Sequence, residues 1–275
     1  FSESKVPDDW KMARVTPIHK GDSKLDPTNY RPISCLSCVA KLMERLVHTQ
    51  VYSFVEHQRL LNVCQSGFRP KHSTLTTLTE VNDFLLSNMD SSLLTGVIFL
   101  DLKKAFDTVN HNRLCAKLRW YGFQDSEIKW FESYLDNRSQ TVRYLGTLSE
   151  SEIIPVGVPQ GSILGPLLFI LYINDLPEIV SQCKVVLYAD DTAIFASAKN
   201  LATIESILNK EMFNVKMWLD SNKLTLNVSK TKVMIFGSSK KVKHKSLDVN
   251  IDGAKLDMVN SFKYLGAHLD SSLNW

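Results

Sequence analysis

An acidic pair between two apolar runs, Asp190 and Asp191, constrains the fold of this chain more than any other feature. The runs at residues 185–188 and 192–195 are rich in β-branched and aromatic side chains. This pattern predicts two strands joined by a tight turn that carries both carboxylates. Adjacent anions beside buried strands are costly unless a cation neutralises them, and Mg²⁺ binds carboxylate oxygens while leaving positions for phosphates. A solvated Asp-Asp turn is the alternative.

A third carboxylate, that of Asp101, stands at the end of another apolar run of strand length, residues 96–100. If this strand pairs beside the predicted hairpin, the three carboxylates converge. Such a cluster can hold two metal ions about 4 Å apart, as polymerases do. Considered alone, Asp101 also fits a strand-end turn or a helix N-cap.

Six short motifs, in this order along the chain, resemble those of the reverse transcriptases of non-LTR retrotransposons. They are residues 29–33 (NYRPI), 65–69 (QSGFR), 99–107 (FLDLKKAFD), 157–162 (GVPQGS), 188–191 (YADD) and 262–266 (FKYLG). A YADD sequence alone is weakly diagnostic, whereas six ordered motifs are specific. The resemblance implies an RNA-directed DNA polymerase that copies retrotransposon RNA into DNA by two-metal nucleotidyl transfer.

The resemblance also implies an α/β (α+β) fold, the fingers and palm of a right-hand polymerase, with a ferredoxin-like antiparallel palm sheet. We expect fingers at residues 1–95 and palm at 96–275, with a fingers-associated helical insertion at about 110–150 and a primer-holding hairpin at about 248–270. No thumb is expected within the chain. Because it opens with Phe1, we expect a segment of a longer polyprotein whose thumb and endonuclease regions are its partners.

Local patterns predict several elements directly. Residues 12–18 have the character of a strand. Residues 37–55 have helical periodicity, with Val39, Leu42, Met43, Leu46, Val47 and Val51 on one face. Ser73 or Thr74 is a candidate N-cap for the following helix, and Asn200 is a candidate for a later one.

Two basic residues match positions that reach the incoming triphosphate in the resembling family, namely Lys20 and Arg31. Arginine suits phosphate because its planar guanidinium donates hydrogen bonds in pairs, and lysine provides a mobile point charge. The alternative is that both are solvated surface cations.

The loop with Gly67, Phe68 and Arg69 matches the template-binding motif of the family. Its cationic and aromatic side chains suit a single strand, because cations pair with phosphate and a ring stacks on a base. A surface turn with a buried Phe explains the same residues equally well.

Further residues are assigned to the incoming nucleotide by the resemblance: Gln160, Gly161 and Tyr188 contact it, and Phe106 lies under its sugar. A ring at this position would exclude a ribose 2′-hydroxyl by a clash. A core Phe and an ordinary turn are the alternatives.

The family carries a lysine near the leaving pyrophosphate as a candidate general acid. Lys230 matches this position best and Lys232 second. A solvated lysine beside a strand is the alternative.

Composition sets wider bounds. With 275 residues and 44% hydrophobic content the chain can bury a large core. Its net charge of +3 is small for a nucleic-acid enzyme, so attraction to nucleic acid must come from local basic patches. Five cysteines without an even framework favour reduced, packed thiols and argue against a zinc site. No apolar stretch is long enough to span a bilayer, so we expect no membrane partner. The reduced thiols favour an intracellular protein, and the resemblance implies the cytoplasm and nucleus.

These observations predict that Asp101, Asp190 and Asp191 hold two Mg²⁺ ions, with Mn²⁺ able to substitute. The expected partners are an RNA template, a DNA primer and deoxynucleoside triphosphates. Two rival functions remain open. An RNA-templated RNA polymerase shares the three acids, but Phe106 argues against it. A non-catalytic RNA-binding module, or a decayed genomic copy, would have no need for a costly carboxylate cluster.

Overall fold

The computed structural model describes residues 4–21, 23–242 and 244–273. The start of the predicted fingers and the end of the predicted palm, residues 1–3 and 274–275, therefore lie outside the described residues. Its helices are α1 (Cys38–His57), α2 (Thr74–Asp90), α3 (His111–Trp120), α4 (Asp125–Leu135), α5 (Leu164–Tyr172), α6 (Leu201–Ser221) and α7 (Ser239–Val242). Its strands are β1 (Met12–His19), β2 (Tyr30–Cys35), β3 (Leu94–Leu100), β4 (Ser139–Tyr144), β5 (Thr147–Leu148), β6 (Glu152–Ile153), β7 (Lys184–Tyr188), β8 (Asp191–Ala198), β9 (Lys232–Phe236), β10 (Asn250–Ile251), β11 (Ala254–Lys255), β12 (Asp257–Met258), β13 (Ser261–Tyr264) and β14 (Ala267–Asp270).

The chain forms two compact units. The first comprises Phe1–Leu61 and Phe106–Ile173, and the second comprises Asn62–Ala105 and Asn174–Trp275. Their boundary differs from the expected division at residue 95, because Val81 and Leu85 of α2 pack in one core with Val97 of β3. The assignment of residue ranges to fingers and palm stays a prediction.

The first unit is built on a sheet in which β1 lies between β2, antiparallel to it, and β4, parallel to it. Buried and exposed residues alternate along the first part of β1, and its buried residue Ala13 packs against Leu36 and Ala40. Strands β5 and β6 pair with β4.

The predicted inner face of α1 is partly wrong. Val47 and Val51 are buried, but Val39, Leu42 and Leu46 are exposed, and the buried stripe starts at Ala40 and continues through Glu44. The carboxylate of Glu44 explains why the buried face of α1 is rotated relative to the predicted face. It accepts hydrogen bonds from the Tyr134 hydroxyl at 2.7 Å and from the Ile163 amide at 2.6 Å, so a polar residue faces inward.

The second unit contains the five-stranded sheet β12-β9-β3-β8-β7. Four of these strands, β9-β3-β8-β7, are antiparallel neighbours. Counted in chain order they run 4-1-3-2, the order of a ferredoxin-like sheet, which agrees with the prediction. The edge strand β12 departs from it because it pairs parallel to β9. All of β3 is buried, since α6 covers one face and α2 with the β13–β14 hairpin covers the other.

Turns and caps follow local chemistry. The side chains of Ser73 and Asn200 cap α2 and α6, as predicted. The region near 248–270 holds two hairpins, β10–β11 and β13–β14, plus β12, where one was expected. Both hairpins turn through two residues with positive φ ending in glycine, the pattern of a type I′ turn. Within the described ranges no helix is both long and apolar enough to cross a membrane.

Candidate active site

The acidic pair lies at a tight turn, as predicted. The ladder between β7 and β8 ends at the pair Tyr188–Asp191, which leaves Ala189 and Asp190 as the central residues of the turn. Ala189 has φ of 56°, a left-handed conformation that L-residues other than Asn and Asp adopt at a cost. Tyr188 is half-buried beside the pair. The backbone conformation of the turn therefore fixes the positions from which the side chains of Asp190 and Asp191 project.

Asp101 follows the last residue of β3. Because Leu100 pairs with Thr192, Asp101 stands opposite Asp191 one step beyond the ladder. Directly opposed residues in antiparallel strands have Cβ atoms about 4.5–5.5 Å apart. The structure thus brings Asp101, the third predicted acid, beside the predicted pair.

The backbone of Asp101 is held on both sides by two residues to which the sequence assigned no role, Thr231 and Asn227. Its amide donates to Oγ1 of the fully buried Thr231 at 3.2 Å, and its carbonyl accepts from the Asn227 amide at 2.8 Å. In the sequence, Thr231 appears only as a spacer between two lysines. No local pattern would have revealed it, because the contact joins residues 130 positions apart.

The three acids repel one another. Desolvation, followed by the charges of Asp190 and Asp101, raises the pKa of Asp191 to about 6, although the residue as a whole is exposed. In the described part of the chain, no group of three or more His, Cys, Asp or Glu side chains forms a site that could hold a metal ion. Mg²⁺ does not require such a group, since it is usually bound by one or two carboxylates together with water and substrate phosphates. The hard oxygen donors and their excess negative charge therefore fit this ion.

A cavity of about 330 Å³ adjoins the acids in the second unit, lined by Asp101, Asp191, Lys230, Lys232, Phe262 and Tyr264 among others. The two candidate lysines differ in their contacts. Nζ of Lys232 donates to Asp257 at 2.7 Å and to the Ser229 carbonyl at 2.6 Å. Lys230 is exposed and forms no ion pair with any described residue, so its ammonium is available to a ligand.

The predicted template loop lies against the Asp190 turn. A Cβ atom on Gly67 would lie 2.1 Å from the Ala189 nitrogen, so only glycine allows this approach. Phe68 is half exposed with φ of 56°. Nη1 of Arg69 donates to the carbonyls of Asn62 and Gln65, which uses part of its guanidinium within the loop. Template contact by these residues stays a prediction.

The nucleotide residues assigned to the first unit occupy a constrained loop. Nε2 of Gln160 donates to Asp107 at 2.8 Å, and its Oε1 has no hydrogen-bond donor among the described residues and can accept from a ligand. Gly161 has φ of 113°, and a Cβ there would lie 2.6 Å from the Ser34 carbonyl oxygen. The half-buried ring of Phe106 stacks on Phe169 with centroids 4.3 Å apart, so it has a packing role in addition to any role at a sugar.

The two triphosphate candidates share the β1–β2 hairpin. Arg31 is paired with Ile18, and the Lys20 amide extends the ladder by donating to the Asn29 carbonyl at 2.8 Å. Strand alternation places Lys20 and Arg31 on the same face, where both are exposed.

Comparisons with known proteins place the chain in a family. A family model described as reverse transcriptase (RNA-dependent DNA polymerase) matches residues 18–269. A probable RNA-directed DNA polymerase from transposon BS of Drosophila melanogaster is 32% identical over 283 residues, with 98% of this chain and 30% of the relative covered. The polymerase from mobile element jockey of the same species is 30% identical over 277 residues, with the same coverage. The chain thus spans about 30% of the length of these relatives.

Solved structures share the fold. Apo telomerase from Candida tropicalis, truncated from its C-terminal domain, superposes with a TM-score of 0.59 at 15% identity, over 98% of this chain and 55% of that one. Telomerase from Candida albicans with a fragment of telomeric RNA gives 0.60 at 14% identity, over 98% and 47%. At such identities the likeness establishes the fold alone, and it confirms the predicted polymerase fold.

Proposed function

The chain belongs to the reverse transcriptase family, and we propose that it catalyses RNA-directed DNA synthesis from the RNA of a non-LTR retrotransposon. The observation that carries the proposal is the placement of Asp101 beside the Asp190-Asp191 turn within the matched residues. Since the chain covers about 30% of its relatives, the proposal extends to a longer protein that contributes thumb and endonuclease regions. Such an enzyme would work in the cytoplasm and nucleus.

The three carboxylates would hold two Mg²⁺ ions, or Mn²⁺ in their place. When bound, these ions supply Lewis acidity to the primer 3′-hydroxyl and neutralise charge on the triphosphate. The contribution of the chain is placement. The opposed strands present Asp101 and Asp191 together, and the turn presents Asp190 next to them.

The remaining groups would bind and orient the nucleic acid and the nucleotide. Lys230 offers an uncommitted ammonium beside the acids, suited to protonate or neutralise a leaving pyrophosphate. Lys20 and Arg31 offer exposed cations for the triphosphate, and Gln160 and Gly161, with Tyr188, offer polar and backbone contacts for the nucleotide. Gly67, Phe68 and Arg69 would contact the RNA template.

The direct test is primer extension on an RNA template with Mg²⁺ by a chain extended to include the thumb region. We expect incorporation of deoxynucleotides by the wild type. A protein that binds RNA and cation but never extends the primer would contradict the proposal and favour the non-catalytic alternative.

Sugar choice separates this function from RNA synthesis. If the Phe106 ring excludes the 2′-hydroxyl, Phe106→Val should raise the ratio of kcat/KM for GTP to that for dGTP by orders of magnitude. If Phe106 serves only the packing against Phe169, the variant should lose stability by about 3 kcal/mol with the ratio unchanged. Measuring the ratio together with thermal unfolding distinguishes the two.

A further inference from the structure

We propose that Gln65 is a positioning residue for the acidic turn: its side-chain carbonyl holds the backbone from which Asp190 and Asp191 project. The inference rests on the proposed function, since it gives the turn a cation to bind. Gln65 is fully buried, and its Oε1 accepts hydrogen bonds from the Ala189 amide at 2.9 Å and the Gly67 amide at 2.7 Å. One oxygen thus ties the loop to the turn.

The turn needs such support because of Ala189. Its φ of 56° lies in the left-handed region, where an L-alanine persists only if its surroundings determine the conformation. Its amide donates a hydrogen bond to Gln65 Oε1, and this bond stabilises the observed orientation of the peptide. Loss of the acceptor would leave a buried N–H without a partner and allow the peptide to rotate.

The segment around Gln65 follows β7 as an additional, short parallel partner. Residue 65 bridges to Leu187, whose amide donates to the Cys64 carbonyl at 2.8 Å and whose carbonyl accepts from the Ser66 amide at 2.9 Å. These bonds bring Gly67 against the Ala189 backbone. The hydrogen bonds between this backbone segment and β7 therefore position the side chain of Gln65 at the turn.

The cost of this arrangement argues for a positioning role. Nε2 of Gln65 is buried and has no hydrogen-bond partner among the described residues. A buried donor left unpaired destabilises a fold, so an apolar side chain of similar volume would suit stability alone. What an apolar side chain cannot supply is the acceptor for the Ala189 amide.

The experiment compares Gln65→Met, which keeps volume but removes the acceptor, with Gln65→Glu, which keeps an acceptor oxygen. Both are introduced into the thumb-extended protein, and steady-state extension is measured as a function of Mn²⁺ and of deoxynucleotide concentration. For Gln65→Met we expect a tenfold or larger loss of kcat and a higher half-saturating Mn²⁺ concentration, with KM for the deoxynucleotide nearly unchanged. Gln65→Glu should recover much of the rate.

The matched control is Asn88→Leu. Asn88 donates to Thr95 and Ser197 at the opposite end of β3 and β8, so its loss removes polar contacts from the same sheet without touching the turn. This variant should unfold at lower temperature but keep the wild-type Mn²⁺ requirement. A Gln65→Met protein with wild-type kcat and Mn²⁺ requirement would overturn the proposal, and so would the same Mn²⁺ shift in Asn88→Leu.

A rescue variant keeps the test decisive if Gln65→Met is too unstable to assay alone. Glycine adopts positive φ without strain, so Ala189→Gly should reduce the need for Gln65. We expect the double variant to regain folding and activity relative to Gln65→Met, and absence of any rescue would contradict the role. If the wild type fails to extend primers, the proposed function fails. The positioning role is then decided by whether Gln65→Met weakens the Mn²⁺-induced rise in Tm.

Discussion

The two ends of the β3–β8 strand pair handle polar side chains in opposite ways. At one end, Asn88 donates to Ser197 at 3.0 Å and to Thr95 at 3.3 Å, and the two hydroxyl oxygens lie 2.9 Å apart. At the other end, roughly 20 Å along the same strands, Asp101 stands opposite Asp191. The polar groups at the first end are neutral and form hydrogen bonds with one another, whereas at the second end two like charges face each other.

This difference separates a structural from a functional polar site. Neutral groups that satisfy one another stabilise the sheet without any ligand. Like charges directly opposite each other destabilise it, and under the proposed function a cation from outside the chain would neutralise the acidic end. Strand pairing alone does not require acids at this position, because the same two strands are joined by neutral groups at their other end.

The largest contrast is expected for activity. Asp190→Asn removes one charge from the acidic end and should lower primer extension at least about 1,000-fold while the protein stays folded, since polymerase chemistry depends on charge stabilisation at the metals. Asn88→Leu should retain extension close to wild type at a temperature where it is folded. Wild-type turnover by Asp190→Asn would show that the acidic end of the strand pair is not needed for extension.

A smaller effect is expected at the cavity beside the acids. Lys230→Ala should lower kcat by about 100-fold, the size typical of a lost general acid, and flatten the alkaline limb of the pH–rate profile. Lys232→Ala is its control, because that lysine is engaged by Asp257 and should affect mainly stability. Equal losses of kcat in both variants would contradict the assignment to Lys230.

The smallest effect concerns pH and stability without divalent cations. The pKa of Asp191 is raised from 3.8 to about 6, so between these values the folded state binds more protons than the unfolded state. The contribution of Asp191 to the free energy of unfolding should therefore fall as pH rises through this window and stay level above it. Urea unfolding in EDTA should show this slope in the wild type, and a reduced one in Asp191→Asn. An identical slope in both would show that Asp191 is not desolvated and repelled as described.

Local chemistry explains which features were predictable from sequence. The acidic turn and the cap of α6 by Asn200 depend on neighbours within a few residues, and both were predicted correctly. The inward face of α1 was predicted wrongly because Glu44 is buried by partners about 100 positions away.

The supports of the acids were missed for a related reason. The bond from Gln65 to Ala189 spans 124 positions, and that from Asp101 to Thr231 spans 130. Gln65 lies within the QSGFR motif, but roles were assigned only to Gly67, Phe68 and Arg69 of that motif, and neither Gln65 nor Thr231 gives a periodic signal. Their roles became visible only when strand pairing placed them beside the acids.

The central claim, that the acidic end is completed by a divalent cation, is tested most directly by thermal unfolding at neutral pH with and without Mn²⁺. We measure the rise in Tm for the wild type, Asp101→Asn and Asn88→Leu. We expect a clear rise in the wild type and in Asn88→Leu, because a ligand that binds only the folded state stabilises it, and little or no rise in Asp101→Asn. An equal rise in all three proteins, or no rise in the wild type, would contradict it.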